Sequence, residues 1–319
     1  ELEKRDDLDY GLIVTNMHLL DTFGYSLADI EKDGVKISAK VHNTFDGYNR
    51  VTMAKSLSVF GLQLPEILEQ MEADMVLVPG DRGEQLMAAI AGAHMQKPVA
   101  HIQGGELSGN IDGSVRHAIT KLAHIHFTAN ADAAERIQKM GEESWRVHEV
   151  GAPMLDDLVR GEITPKEEIY RKFALEKDKP AILFVFHSIT EELEHLEEYI
   201  SEILRGLESL GHQTVAILNN SDAGSIIIRE KMKQGKKPFM RFYKNVPRAD
   251  YAGLLNTVDV LVGNSSSGIL EAPTFKLPAV NIGSRERGRL QGINVINADY
   301  TARSIIEAVE KALSQSFIE

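Results

Sequence analysis

The sequence contains no cysteine and no run of about 18 apolar residues, and its acidic residues outnumber its basic ones. The missing thiols exclude disulfides and thiolate metal sites, and they favour a reducing, cytoplasmic compartment. The missing apolar run predicts no membrane span. A formal net charge of −12 argues against nucleic acid as a partner, because phosphate contacts need clustered lysine and arginine. An anionic ligand would need local positive charge from arginines or helix N-termini.

Strand-like and helix-like segments alternate along the 319 residues, a length that suggests two domains. Short apolar runs predict strands at 8–15, 35–42, 74–80, 98–102, 124–130, 146–151, 181–187, 214–220, 239–245, 258–264 and 278–284. Spacings of three and four between apolar residues predict helices from about residue 27 and at 51–72, 84–96, 114–123, 131–141, 190–210, 224–234, 248–257, 267–275 and 302–315. This alternation predicts an α/β fold with parallel sheets covered on both faces.

The periodicity fades between residues 156 and 180, where charged residues are frequent and two prolines occur. We place the domain boundary there, which gives an N-terminal Rossmann-like domain at 1–160 and a C-terminal one at 175–319. Two doubly wound domains are expected to face each other. Ligands of open parallel sheets bind beyond the carboxyl ends of the strands, so the residues after each strand are the candidates for a site.

The segment GNSSSG (263–268) follows an apolar strand and opens a predicted helix. Small residues let the backbone approach a ligand, and the hydroxyls of Ser265, Ser266 and Ser267 add donors. Free N–H groups at the helix start would favour an anion, so the segment is typical of a phosphate cradle. Glu271, one turn later, could accept hydrogen bonds from a ribose diol. An ordinary serine N-cap is the alternative interpretation.

Other phosphate and catalytic motifs are absent. The sequence has neither a Walker A motif nor G-x-G-x-x-G, and Ser267 occupies the final glycine position of a hydrolase nucleophile elbow. His124 and His126 share a strand face, but no further ligands stand near them in the sequence, so core or edge histidines are favoured over a metal site.

Charged residues follow several predicted strands. Arg285, Arg287 and Arg289 form the strongest local basic cluster, which fits a ligand-facing loop and a solvated loop equally well. Chemistry that removes one proton and returns another needs titratable groups, and the candidates are Asp81, Glu106, Asp112 and His187. Each carboxylate could instead serve an ion pair or a helix cap. The residues alone therefore predict a nucleotide or phosphate ligand between two α/β domains, with acid–base chemistry.

Five ordered motifs closely resemble the hydrolysing branch of the UDP-N-acetylglucosamine 2-epimerase family, which supplies sialic-acid-type sugar synthesis. They are GDR (80–82), GGELSGNIDGSVRHAITKLAH (104–124), DAGS (222–225), GNSSSG with Glu271, and NIGSRERGR (281–289). The resemblance covers nearly the whole chain. It implies the glycosyltransferase-B architecture with the active site in the cleft. It also implies elimination of UDP from UDP-GlcNAc through 2-acetamidoglucal, followed by water addition to give N-acetylmannosamine, with no cofactor and no metal.

The resemblance assigns the site by matching motifs. It places Asp81, Glu106 and Asp112 among the cleft acids and matches His187 to the family's histidine, which would contact the phosphates and help UDP to leave. Substrate-binding and UDP-binding positions are implied at Arg82, Gln103, Arg116, Asn220, Asp222, Ser265, Ser266, Ser267, Glu271 and Arg285. It further implies homo-oligomers, dimers or tetramers, built through the first domain.

Two departures from the family pattern stand out. Gln103 replaces a glutamate found in many members, and since an amide is no general base, that role would pass to Glu106, Asp112 or Asp81 or would not be used. The chain also begins at ELEKRDDLDY without Met, after the family's first strand and its Gly-Thr-Arg-Ala-like loop. We expect that strand and part of the C-terminal tail to have been lost, with a gap in the first sheet.

Three alternatives stay open. UDP-N,N′-diacetylbacillosamine would keep the chemistry and change the sugar, which requires room for a 4-acetamido group around residues 103–112. A glycosyltransferase of the same architecture would need an acceptor groove and not several carboxylates. A non-catalytic UDP-sugar sensor would bind without turnover, and Gln103 motivates that possibility.

Overall fold

The computed structural model describes residues 2, 5–234 and 237–318, and these divide into two compact units. The first unit runs to Glu106 and resumes over Asp112–Gly151, whereas the second comprises Leu107–Ile111 and the chain from Ala152 onward. Within the described ranges, no helix is long and apolar enough to cross a membrane.

The first unit alternates strands and helices as the sequence predicts. Its strands are β1 (Leu12–Thr15), β2 (Ile37–Val41), β3 (Val76–Pro79), β4 (Val99–Ile102), β5 (Ile125–Thr128) and β6 (Val147–Glu149). Its helices are α1 (Leu27–Lys32), α2 (Arg50–Gln70), α3 (Gly83–His94), α4 (Ile111–Leu122) and α5 (Ala131–Lys139). Over the described residues the strands form two separate parallel sheets, β1-β2 and β3-β4-β5-β6.

Helix α2 shows why the sequence folds locally as it does. Asn49 caps its N-terminus by accepting from two backbone N–H groups, and Thr52 completes a capping box. Phe60, Leu64 and Leu68 recur every four residues and lie buried on one face. That stripe packs in the core cluster that also contains the inward residues of β3.

The second unit holds one six-stranded parallel sheet in the order β12-β11-β10-β7-β8-β9. The strands are β7 (Ala181–Val185), β8 (Gln213–Ile217), β9 (Met240–Tyr243), β10 (Val260–Gly263), β11 (Ala279–Ile282) and β12 (Val295–Ala298). The helices are α6 (Asp156–Arg160), α7 (Lys166–Lys172), α8 (Leu196–Leu210), α9 (Ser225–Lys233), α10 (Arg248–Leu255), α11 (Ser267–Leu270), α12 (Ala302–Ala312) and α13 (Gln315–Ile318).

Both faces of this sheet are covered, as doubly wound folds require. Every residue of β7 is buried. Ile182 and Phe184 pack in a cluster with α8, and Leu183 packs in a second cluster with residues of α10. The predicted α/β class with doubly wound parallel sheets is therefore confirmed. The strand order reverses between β7 and β10, which makes their carboxyl ends the switch point of the sheet.

Three elements differ from the sequence prediction. The charged stretch at 156–180 contains α6 and α7 and belongs to the second unit, because Ile169 and Phe173 are buried in its core. Strand β12 was not predicted, since its polar Asn297 interrupts the apolar pattern. The predicted helix 267–275 is wrong as one element, because it divides into α11 and a 3₁₀ turn whose second residue, Pro273, lacks an N–H donor.

Candidate functional site

In the first unit, an acidic and arginine cluster forms beyond β3 and β4. Asp81 follows β3 and makes an ion pair with Arg116 Nη2 from α4. Arg116 Nη1 also donates to the backbone oxygen of Glu106 at 2.9 Å. Asp112 lies four residues before Arg116, which places both on one face of α4. Four sequence-predicted residues are therefore brought together within this unit.

Burying the charge of Arg116 costs free energy unless the guanidinium has partners. The Arg116 side chain is 3% exposed, whereas that of Asp81 is 24% exposed. Glu106 and Asp112 are also buried. A buried guanidinium needs a charged partner and hydrogen-bond acceptors, and Asp81 with the Glu106 carbonyl supplies them. The arrangement holds carboxyl groups and a fixed cation together in a water-poor environment, where proton transfer and anion binding are both feasible.

Gln103 and Arg82 flank this cluster. Gln103 is buried, directly follows β4, and has a left-handed backbone with φ of 61°. Its N–H donates to the carbonyl of Phe127 at 2.8 Å. A non-glycine residue in this conformation costs about 1–3 kcal/mol and is concentrated at functional sites. Arg82 occupies the N-cap position of α3, the helix that begins directly after Asp81.

His101, which the sequence analysis did not select, lies fully buried beneath the cluster. Its Nε2 is 2.8 Å from the carbonyl oxygen of Gly80, so Nε2 carries the proton and donates. Burial lowers the pKa of His101 to about 4, which outweighs the hydrogen bond to Gly80 that raises it, and the nearby charge of Arg116 also lowers it. His101 is therefore neutral at pH 7 and fixes the turn that carries Asp81.

Acidification is expected to destabilise the fold between pH 6.5 and about 4. A histidine in the unfolded chain has a pKa near 6.5, so the unfolded state binds a proton below that pH. Buried His101 in the folded state stays neutral until about pH 4, so acid favours the unfolded state. The free energy of unfolding should fall by about 2 kcal/mol from pH 7 to pH 5 through this residue. Urea unfolding at both pH values measures the change. His101→Gln should remove that share, and an unchanged pH dependence in the variant would refute the assignment.

In the second unit, His187 and Asn264 meet at the switch point between β7 and β10. Asn264 is fully buried, its Oδ1 accepts from the His187 N–H at 2.7 Å, and its Nδ2 donates to the His187 carbonyl at 2.9 Å. Gly263 has φ of 141°, and a Cβ there would lie 1.9 Å from the oxygen of Val185. Only glycine therefore lets β10 approach β7 closely enough for Asn264 to fix the backbone of His187.

Asn264→Asp is expected to lower the free energy of unfolding by about 1–3 kcal/mol. A carboxylate cannot donate to the His187 carbonyl, and it would bury a charge where the amide is neutral. Asn49→Asp is the matched control, because exposed Asn49 caps α2 and aspartate caps equally well. Urea unfolding of the two variants compares them, and equal losses would contradict the proposed contact.

The loop after β11 carries Arg285. Its Nη1 donates to the Asn264 carbonyl at 3.0 Å and to Glu286 at 2.8 Å. Glu286 is buried and also accepts from Arg289 at 2.9 Å. Arg287 is exposed. Glu286 therefore orders two of the three arginines, a pairing that the basic pattern alone did not reveal.

The serine segment has a different geometry from the expected helix N-terminus. The Ser267 N–H donates to Ser265 Oγ at 3.3 Å, and the Gly268 N–H donates to the Ser265 carbonyl at 3.1 Å. Both N–H groups are therefore already used by acceptors within the segment. The helix that follows, α11, is only one turn long. Tyr251 of α10 donates its hydroxyl to Ser267 Oγ at 2.7 Å. Burial raises the pKa of Tyr251, and the charge of Glu271 adds to the shift, so its phenol stays protonated. The Ser266 hydroxyl makes no hydrogen bond to the described part of the chain.

Glu271 follows α11 and pairs with Arg248 of α10. Beyond β8, the neighbour of β7, Asn220 Nδ2 donates to Asp222 at 2.6 Å, and Arg229 Nη2 donates to the Asn219 carbonyl at 2.9 Å. The second unit thus collects the remaining sequence-predicted residues along one edge of its sheet. Arg248 and Tyr251 were not among the residues predicted for the site, although their spacing of three on one predicted helix was a possible signal.

The chain matches known proteins over almost its full length. A family model described as UDP-N-acetylglucosamine 2-epimerase matches residues 1–318. A Legionella pneumophila protein named UDP-N,N′-diacetylbacillosamine 2-epimerase (hydrolyzing) is 34% identical over 100% of this chain and 85% of its own. A Neisseria meningitidis UDP-N-acetylglucosamine 2-epimerase is 32% identical over 98% of this chain and 82% of its own.

A solved structure shares the fold. The crystal structure of a Neisseria meningitidis UDP-GlcNAc 2-epimerase bound to UDP-GlcNAc superposes with a TM-score of 0.80 at 18% identity, covering 100% of this chain and 87% of that one. This likeness confirms the predicted fold class. The matched family model and the two relatives together establish that the chain belongs to the UDP-N-acetylglucosamine 2-epimerase family.

Proposed function

We propose that the protein is a hydrolysing UDP-sugar 2-epimerase that converts UDP-GlcNAc and water to N-acetylmannosamine and UDP. The observation that carries the proposal is the cluster in which buried Arg116 pairs with the partly exposed Asp81 and donates to the backbone of buried Glu106, with buried Asp112 on the same face of α4. A sensor or a simple binding protein has no need of several carboxylate residues in one cluster of this kind. Family membership supplies the nucleotide sugar as the substrate class.

The first proposed step is an elimination. A carboxylate removes the proton from C2, the C1–O bond breaks with its electrons going to the UDP oxygen, and a C1=C2 double bond remains as 2-acetamidoglucal. We assign this proton transfer to Glu106 and Asp112, because Arg116 already engages the Asp81 carboxylate. Gln103 takes no proton and serves as a binding residue.

The second proposed step adds water across the double bond. One carboxyl group, in its protonated form, gives a proton to C2 from the opposite face. The other, after losing the C2 proton to solvent, takes a proton from the water whose oxygen bonds to C1, which gives N-acetylmannosamine. Both steps are redox-neutral. His187 and Arg285 would offset the negative charge that develops on UDP, as preorganised donors and cations do in enzymes that release an anion.

The second unit supplies the proposed nucleotide site. Ser265, Ser266 and Ser267 would face the diphosphate with their hydroxyls, and Glu271 would accept from the ribose. Asn220 and Asp222, which bond to each other beyond β8, complete the set proposed for UDP. Arg82, the N-cap residue of α3, is proposed as a further substrate-binding residue.

UDP-N,N′-diacetylbacillosamine is the second candidate substrate, because the Legionella relative that carries this name is 34% identical to the chain. Parallel measurements of kcat/KM for the two nucleotide sugars test the choice. If kcat/KM for one nucleotide sugar exceeds that for the other by more than about tenfold, the favoured one is identified as the substrate. Binding of both without release of UDP would favour a sensor, and transfer of the sugar to an acceptor would favour a glycosyltransferase.

A further inference from the structure

Arg248 is held at both ends of its guanidinium within the second unit. Its Nη1 forms the ion pair with Glu271 Oε1, and its Nη2 donates to the carbonyl of Met154 at 2.7 Å. Arginine presents its donors in a planar fork, so two acceptors in different segments fix its orientation. Arg248 is therefore a rigid support for Glu271.

Only one oxygen of the Glu271 carboxylate, Oε1, has a hydrogen-bond donor among the described residues. Its side chain is 11% exposed, so an unpaired negative charge there would be costly. Arg248 offsets that charge through Oε1, and no described residue donates a hydrogen bond to Oε2. An ionised carboxylate only accepts hydrogen bonds, so Oε2 is left to accept from a hydroxyl of a ligand.

We infer that Arg248 is a positioning residue that directs Glu271 Oε2 toward the ribose hydroxyls and so selects ribonucleotides over deoxyribonucleotides. The inference rests on the proposed function, because it takes UDP as the nucleotide of this site. Arg248 does not itself touch the ribose; it acts by holding the acceptor in one orientation and leaving one oxygen unoccupied.

Tyr251 provides an internal comparison, because it lies one turn after Arg248 on α10 and supports a different group. Its hydroxyl bonds to Ser267 Oγ at 2.7 Å, in the segment proposed for the diphosphate. Loss of Tyr251 should weaken binding through the phosphates, whatever the sugar carries. Loss of Arg248 should weaken binding only when ribose hydroxyls are present.

The test is calorimetric binding of UDP and of 2′,3′-dideoxy-UDP to the wild-type chain and to three variants. For the wild type, removal of both hydroxyls should weaken binding by about tenfold or more, since hydrogen bonds to a carboxylate are strong. Arg248→Met should weaken UDP about tenfold and leave dideoxy-UDP within about twofold. Tyr251→Phe should weaken both nucleotides by the same factor. Arg303→Met, which removes an exposed arginine paired with Glu307, should change neither.

The outcomes separate the inference from the function. Equal weakening of UDP and dideoxy-UDP by Arg248→Met would overturn the positioning role while leaving UDP binding intact. Equal affinity of the wild type for the two nucleotides would also overturn it. Failure of the wild type to bind UDP at all would instead refute the proposed function. If Arg248→Met unfolds, Arg248→Lys keeps a cation without the fork, and the same comparison applies to it.

Discussion

Asp112→Asn is expected to lower kcat by about 10²–10⁴-fold, the range that a positioned general acid or base contributes. The amide keeps the size of the side chain but cannot take up a proton and return it. Asp112 lies buried in the first turn of α4, one turn before Arg116, so the substitution leaves the Arg116–Asp81 pair in place. The affinity for UDP should stay within about threefold, because the proposed UDP residues belong to the second unit.

Asp132→Asn is the matched control for this prediction. It makes the same chemical change in the same unit, on an exposed carboxylate of α5 that pairs with Arg136, and its kcat should equal that of the wild type. Steady-state release of UDP measures all three proteins. Turnover of Asp112→Asn within about threefold of the wild type would remove Asp112 from the proton transfers and leave Glu106 as the principal candidate.

His187→Ala is expected to lower kcat by about 10²-fold through loss of stabilisation of the departing UDP. The backbone of His187 is fixed by two hydrogen bonds to Asn264, so the imidazole is attached to a rigid segment at the end of β7. His195→Ala, on an exposed histidine of the same unit, should leave turnover unchanged.

Supplying the proposed intermediate separates the role of His187 from that of the carboxylates. With 2-acetamidoglucal and UDP as reactants, His187→Ala should still form N-acetylmannosamine at a near-normal rate, because UDP departure is bypassed. Asp112→Asn should remain slow, since hydration of the double bond also needs proton transfer. If His187→Ala hydrates the glucal as poorly as it processes the nucleotide sugar, the histidine acts in both steps and the assignment to UDP departure is wrong.

Strand ends were predictable from the sequence because their signals are local. The apolar run before GNSSSG and the one before His187 each predict a strand whose carboxyl end carries polar residues. Because the two strands are parallel neighbours in the sheet, their carboxyl ends lie side by side at the switch point. Strand β12 escaped prediction because Asn297 is polar; in the fold its amide bonds to Asn281 at 2.8 Å. Helix α7 escaped because only its contacts with the core distinguish it from a charged linker.

The supports of the candidate site could not be predicted, because they depend on partners distant in sequence. Arg248 and Glu271 are 23 residues apart, and Asn264 and His187 are 77 apart. No local periodicity encodes such pairs; the sheet order creates them. At Glu286 the sequence overstated the positive charge. The arginines around it suggested a basic loop, but the buried Glu286 carboxylate accepts from Arg285 and Arg289 and partly neutralises them.

Proton NMR of the full chain with UDP-GlcNAc in deuterium oxide tests the central claim most directly. Elimination and re-addition predict that free UDP and N-acetylmannosamine appear together in equal amounts, with deuterium at C2, because the proton that returns comes from solvent. If UDP-GlcNAc is untouched, UDP-N,N′-diacetylbacillosamine under the same conditions should give the corresponding result. Release of no UDP from either nucleotide sugar, or a product that retains its original hydrogen at C2, would contradict the account.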